Sequence, residues 1–152
     1  MFRVLRMFGG FGFGVLLHTF FKQTLQRQGE KIRPDCKTTI HPMVQEFNDY
    51  RARMNERILA HDNKVIKRFW SLDNQTYQEG ALDVKTKEML GLVASMVLRC
   101  DDCIKYHLGK CHELGVSTDQ IFEIFAVANM VGGSICIPHT RRAVEYWDAL
   151  KK

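Results

Sequence analysis

Neither aspartate nor glutamate occurs between Met1 and Gly29, although Arg3, Arg6, Lys22 and Arg27 stand there among Phe, Leu and Val. An acid-free segment with scattered arginines has the composition of a mitochondrial presequence. Residues 1–34 are therefore expected to be a basic N-terminal arm that targets the protein to mitochondria, with the cytoplasm as the alternative location. Long apolar runs are missing as well. The stretch from Phe8 to Phe21 is 14 residues long and carries four glycines and His18, short of the roughly 20 residues that span a bilayer. A transmembrane helix is thus the weaker reading, and membrane association of the arm is not favoured. No small-x-small cleavage pattern follows the run, which argues against secretion.

Beyond the arm, a charge excess is lacking. Residues 1–34 hold six of the 22 Lys/Arg and one of the 17 acids, so sixteen of each sign remain from residue 35 onward. A neutral body offers no basic footprint, and nucleic acid is discounted as a partner. No alternating strand pattern, long repeat or low-complexity tract is present. Cysteines are sparse and odd in number: Cys36, Cys100, Cys103, Cys111 and Cys136. That count argues against a disulfide scaffold and for a compartment where thiols stay reduced, so any disulfide is expected to be catalytic.

The remainder is one domain's worth of helix. With 152 residues and 45% apolar composition, a single domain with a real core is expected over residues 35–152. Apolar residues recur in steps of three and four from Val44 through Phe47, Tyr50, Met54 and Ile58 to Phe69 and Trp70, which reads as amphipathic helix from Met43 to Trp70. The run from Ser71 to Gly80 reads as turn. Asp83 is a natural N-cap for a helix running towards Arg99, whose apolar residues cover most of its circumference and mark it as central and buried. Another helix begins near Asp101 and ends by Gly115, which suits a left-handed C-terminal cap. Ser117 caps the next, Gly132-Gly133 breaks it, and Pro138 opens the last. The fold class is therefore all-α, with about five or six helices.

The chemistry is expected in Cys100-Asp101-Asp102-Cys103-Ile104-Lys105-Tyr106-His107. Two cysteines three apart at a helix start can close a small disulfide, and the free amides and helix dipole there favour the thiolate. Cys103 and His107 are four apart and share a face, so the imidazole can accept the thiol proton directly or through a water. Glu88, on the preceding helix, would orient or protonate His107 if the two helices pack antiparallel. Two other readings of the segment stand beside this one. Cys100, Cys103, His107 and Cys111 could form an inert core stripe, though the two intervening acids require that turn to reach water. Zinc could be held by Cys100, Cys103, His107 and Cys111 or His112, but four ligands on one helix wrap a tetrahedron badly. A thioredoxin-like arrangement would need a strand before the motif, where this chain has helix.

The order Lys85-x-Lys87-Glu88-Met89-Leu90, then Cys100-x-x-Cys103-x-x-x-His107, then Gly132-Gly133 and a Pro-led last helix, resembles the carboxymuconolactone decarboxylase family. Within it, the AhpD-like alkyl hydroperoxide reductase branch is the one matched, over roughly residues 43–150. The resemblance implies an all-α fold assembling as trimers or hexamers, and a thiol peroxidase or disulfide reductase fed by a dithiol reductant. It implies no cofactor beyond a redox-active Cys100–Cys103 disulfide. Carried over by position, Cys103 is the thiolate that attacks peroxide, Cys100 resolves the sulfenic acid, and His107 with Glu88 forms the proton relay. The branch has a histidine just before the second cysteine, and this chain has Asp102, a departure that touches part of the relay. The decarboxylase branch lacks the cysteine pair, so lactone decarboxylation is not favoured. The rival from another class is a non-catalytic subunit of a mitochondrial assembly that retains the fold.

Other tempting residues read as structural. Gly132-Gly133 is an interhelix turn with close packing and no phosphate loop, since no strand precedes it. His139, Arg141 and Arg142 read as a solvated helix face before an anion site or a subunit contact. Phe69, Trp70, Tyr146 and Trp147 are expected in the core or in oligomer contacts.

Overall fold

The computed structural model describes residues 40–152, so the expectations for the arm, and Cys36 with them, lie outside the described residues. Six α-helices and one short 3-10 turn follow, with no strand among the described residues. They are α1 (Pro42–Leu59), α2 (Lys64–Thr76), α3 (Val84–Leu98), α4 (Asp101–Glu113), α5 (Thr118–Gly132), the 3-10 turn (Ser134–Cys136) and α6 (Ile137–Leu150). The all-α expectation holds. Among the described residues no helix is long and apolar enough to cross a membrane.

Local chemistry sets most of the boundaries. Asp83 accepts the Thr86 amide and starts α3. Ser117 and Gln120 form a reciprocal capping box at α5, each satisfying an amide that the helix leaves without a partner. At the end of α4, Gly115 takes φ +66°. The amides of Gly115 and Val116 reach back to the carbonyls of His112 and Cys111, the paired bonds of a Schellman cap. Gly132 is needed for close approach: a side chain there would run into the Cys136 sulfur.

Two expectations about helix bounds are corrected. The segment Met43–Trp70 is two helices. Asp62 adopts φ 60°, and the Asn63 side chain accepts the amides of Val65 and Ile66, so a fresh N-terminus forms where periodicity alone showed a continuous stripe. The turn expected from Ser71 is helix as far as Thr76. Lys87 explains the extension, because its ammonium donates to the carbonyls of Thr76 and Gln78 at 2.9 and 2.5 Å, meeting oxygens that a helix end leaves free.

The core lies between α3, α4, α5 and α6. Leu92, Met96, Ile104, Leu108, Ile121, Phe125, Tyr146 and Trp147 are its large buried side chains. Tyr146 and Trp147 are thus core residues, whereas Phe69 is exposed. Helix α3 packs against both α4 and α5, and α4 packs against α6. The expectation that α3 is buried nearly all round is also corrected: Leu90 is 54% and Leu98 75% exposed. Packing takes one side of the helix and leaves these two, eight residues apart and so on one face, outside the domain core.

Candidate active site

Helix α3 ends at a left-handed Arg99, φ 60°, and Cys100 immediately serves as the N-cap of α4. So short a corner folds α4 back along α3. Cys100 and Cys103 then face each other, with Cα atoms 5.3 Å apart and the sulfurs joined as a disulfide. Cys103 is exposed and Cys100 half-buried. Both lie in the first turn of α4, where the positive end of the helix dipole favours a thiolate once the bond is reduced.

The same corner brings Glu88 to His107. Glu88 is 3% exposed and His107 7%, and Glu88 Oε2 lies 2.7 Å from His107 Nδ1. A contact that short to a carboxylate puts the proton on Nδ1, which donates to Glu88 and leaves Nε2 to exchange protons with substrate or thiol. The antiparallel α3–α4 packing on which the sequence argument depended is therefore present, and so is the bond.

Residues to which the sequence assigned no role complete the surroundings. Gly91, one turn after Glu88, lies flat against the imidazole: a Cβ there would come 2.5 Å from His107 Cε1 and 2.8 Å from the Tyr77 hydroxyl. The Tyr77 ring sits 5.3 Å from that of His107, and Tyr106 meets it edge-on at 5.2 Å. Burial, then the charge of Glu88, pushes the Tyr77 phenol above its usual range, so it stays a hydroxyl. Lys87 grips the carbonyls on either side of Tyr77, which explains a lysine at that place in the motif. Arg51 stacks over Tyr106 at 3.9 Å.

Cys103 and His107 open together into a cavity of about 410 Å³, lined on its α1 side by Phe47, Tyr50, Arg51, Met54 and Ile58. Cys111, one turn beyond His107, is buried and free. Burial, then the Glu88 charge, pushes its thiol up to about 12 against the opposing pull of Lys85, which makes it inert at neutral pH. Among the described residues no three His, Cys, Asp or Glu side chains gather as a metal cage. Asp102, in the place of the family histidine, is exposed beside Cys103. Asp101 has unexpected partners: His139 and Arg142 of α6 both bind its carboxylate, so the helix face read as solvated is in part an anchor.

Fold and site together define an all-helical protein with a vicinal cysteine pair at a helix start and a buried Glu–His pair beside it. The carboxymuconolactone decarboxylase family profile matches residues 63–146, and this chain belongs to that family. Two crystal structures of a Thermotoga maritima protein are similar to it at 51% identity, with TM-scores of 0.69 and 0.67. They cover 70% of this chain and 94% and 90% of those chains. One of them is described as a carboxymuconolactone decarboxylase family protein with a suggested part in antioxidative response. A family member from Legionella pneumophila, 21% identical with a TM-score of 0.67 over 72% of this chain and 98% of its own, shares the fold. Among curated proteins, an uncharacterized protein of Cupriavidus necator is 27% identical over 48% of this chain and 65% of its own length. An uncharacterized protein of the cox locus of Paracoccus denitrificans is 27% identical over 54% of this chain and 74% of its own. This chain thus spans just under two thirds of the first of these relatives. The AhpD-like branch is consistent with these likenesses.

Proposed function

We propose that this protein is a thiol-dependent peroxidase that reduces hydroperoxides at the expense of a dithiol. The observation that carries the reading is that His107, hydrogen-bonded from behind by the buried Glu88, lines one cavity with Cys103. A relay of that kind is what a thiol needs to lose its proton and what a departing alkoxide needs to gain one. The Cys103 thiolate attacks the outer peroxide oxygen and the O–O bond breaks. Cys103 becomes a sulfenic acid, and the alkoxide takes a proton through His107 and leaves as an alcohol. The Cys100 thiol displaces water from the sulfenic acid to form the disulfide, which a dithiol then reduces by exchange through a mixed disulfide. The greater exposure of Cys103 supports giving it the attacking role. The antioxidative association suggested for the Thermotoga maritima relative points the same way.

The test is peroxide consumption by the purified chain with a dithiol donor. Wild type should turn over, and Cys103→Ser should not. Without the dithiol, Cys100→Ser should consume one equivalent of peroxide and hold a sulfenic acid that dimedone captures. Equal turnover by wild type and Cys103→Ser would sink the reading.

A homo-oligomer is proposed alongside it. Leu90 and Leu98 on α3, and Val127, Met130 and Val131 on α5, are all more than half exposed. Apolar stripes on two packed helices are the kind of surface that a further copy of the chain buries.

A further inference from the structure

Asp101 is the first residue of α4 and stands between the two cysteines, yet its carboxylate is gripped from the other end of the sequence. His139 Nδ1 lies 2.7 Å from Oδ1. Arg142 Nε donates to Oδ2 at 3.0 Å, and its terminal nitrogen lies 3.3 Å from Oδ1. That nitrogen is also 2.9 Å from His139 Nδ1. One ring nitrogen cannot both donate to the carboxylate and accept from the guanidinium, and the shorter contact to the anion places the proton on Nδ1. Asp101 thus accepts from both residues. Partial burial raises its carboxyl, but the bonds and charges of His139 and Arg142 outweigh that and hold it below the ordinary value.

An ionised carboxylate between two thiols opposes thiolate formation, because like charge raises a thiol pKa. Asp102 adds a second, exposed negative charge, and the Glu88–His107 pair lies across the α3–α4 contact. On the favourable side are the amides of α4 and Arg99 at the corner. We propose that His139 and Arg142 are positioning residues for the cysteine pair, both holding the turn between the thiols against α6 while the Arg142 guanidinium cancels the charge of Asp101. The inference rests on the thiol redox reading above. The two residues act through Asp101 and outside the reacting atoms. Their separation by three residues sets both on one face of α6, aimed at one carboxylate.

The test uses the reduced full chain and needs no peroxide, so it stays readable whether or not peroxidase turnover is found. The quantity read is the pH dependence of iodoacetamide alkylation at Cys103, followed by mass spectrometry. Arg142→Gln should raise the Cys103 pKa by about half a unit to one unit, slowing alkylation at pH 7 roughly three- to tenfold. Arg142→Lys, which keeps the charge and loses the fork, should fall between that variant and wild type. Adding Asp101→Asn to Arg142→Gln should restore the wild-type rate, since no charge is left to cancel. If the double variant is as slow as Arg142→Gln, or if Arg142→Gln alkylates like wild type, the charge-cancelling role is overturned.

Discussion

Glu88 and His107 are 19 residues apart in sequence and 2.7 Å apart in space, joined across the α3–α4 interface by a hydrogen bond that neither helix could make alone. Because both groups are buried, the bond fixes the orientation and the tautomer of the imidazole. Glu88→Gln keeps an oxygen to accept the Nδ1 proton while removing the carboxylate. Peroxide turnover should fall about 100-fold or more with little change in melting temperature. Glu88→Ala leaves a buried donor unpaired and should lose about 1–3 kcal/mol of stability besides. Steady-state assays and thermal melts on both variants check this. Undiminished turnover in Glu88→Gln would remove Glu88 from the relay.

Gly91 supplies the second prediction. Its missing side chain is the space in which His107 and Tyr77 meet. Gly91→Ala must displace the imidazole or the phenol, at a strain cost of about 1–3 kcal/mol that offsets any gain in helix propensity. A shift of His107 breaks its alignment with Glu88, so turnover should fall more steeply than stability. Gly80→Ala is the control, since a Cβ there would meet nothing nearer than the end of Lys87 at 3.7 Å.

The fold class and the chemistry-bearing segment were legible because both are local. Steps of three and four residues give helices, caps such as Asp83 and Ser117 are read in place, and Cys100, Cys103 and His107 share about two turns of helix. Glu88 was within reach because one short corner joins its helix to theirs. What was illegible depends on tertiary partners. Lys87 extends α2 through residues that taken alone prefer a turn, Gly91 matters only for what lies opposite it, and His139 and Arg142 meet Asp101 38 and 41 residues away. The break at Asp62 and Asn63 was missed for another reason: the apolar period continues on both sides of it.

Alkaline stability should report on Cys111. Its thiol titrates near 9 when unfolded and is pushed up to about 12 in the native chain, first by burial and then by the charge of Glu88. Between those values the unfolded state has lost a proton that the native state keeps, so stability falls as pH rises through that window and is unaffected below it. Tyr146, also pushed up to about 12 by burial, adds to the decline from about pH 10. Urea midpoints measured from about pH 8 to 10.5 should therefore drop, and less steeply in Cys111→Ala, whose cavity cost is independent of pH. Parallel declines in the two proteins would show that Cys111 is not the titrating group.

The exposed stripes on α3 and α5 give the last prediction. Met130 is 85% and Leu98 75% exposed, the largest exposures among the apolar side chains of those two helices. A lone exposed apolar residue signifies little, but Leu90 and Leu98 share one face of α3, and Val127, Met130 and Val131 share one face of the helix packed against it. Burial against another copy would remove these side chains from water, each worth about 1.5–3 kcal/mol at full burial. A charge placed at the centre of such a contact has no partner and should break it. Sedimentation of the wild-type chain should therefore give a trimer or hexamer, and Met130→Glu should give monomer with its helical circular dichroism intact. Arg141→Glu, an exposed change on α6 outside both stripes, should leave the assembly as it is. A monomeric wild type at the concentration of the assay would exclude the oligomer. Assembly unaffected by Met130→Glu would move the contact off α5.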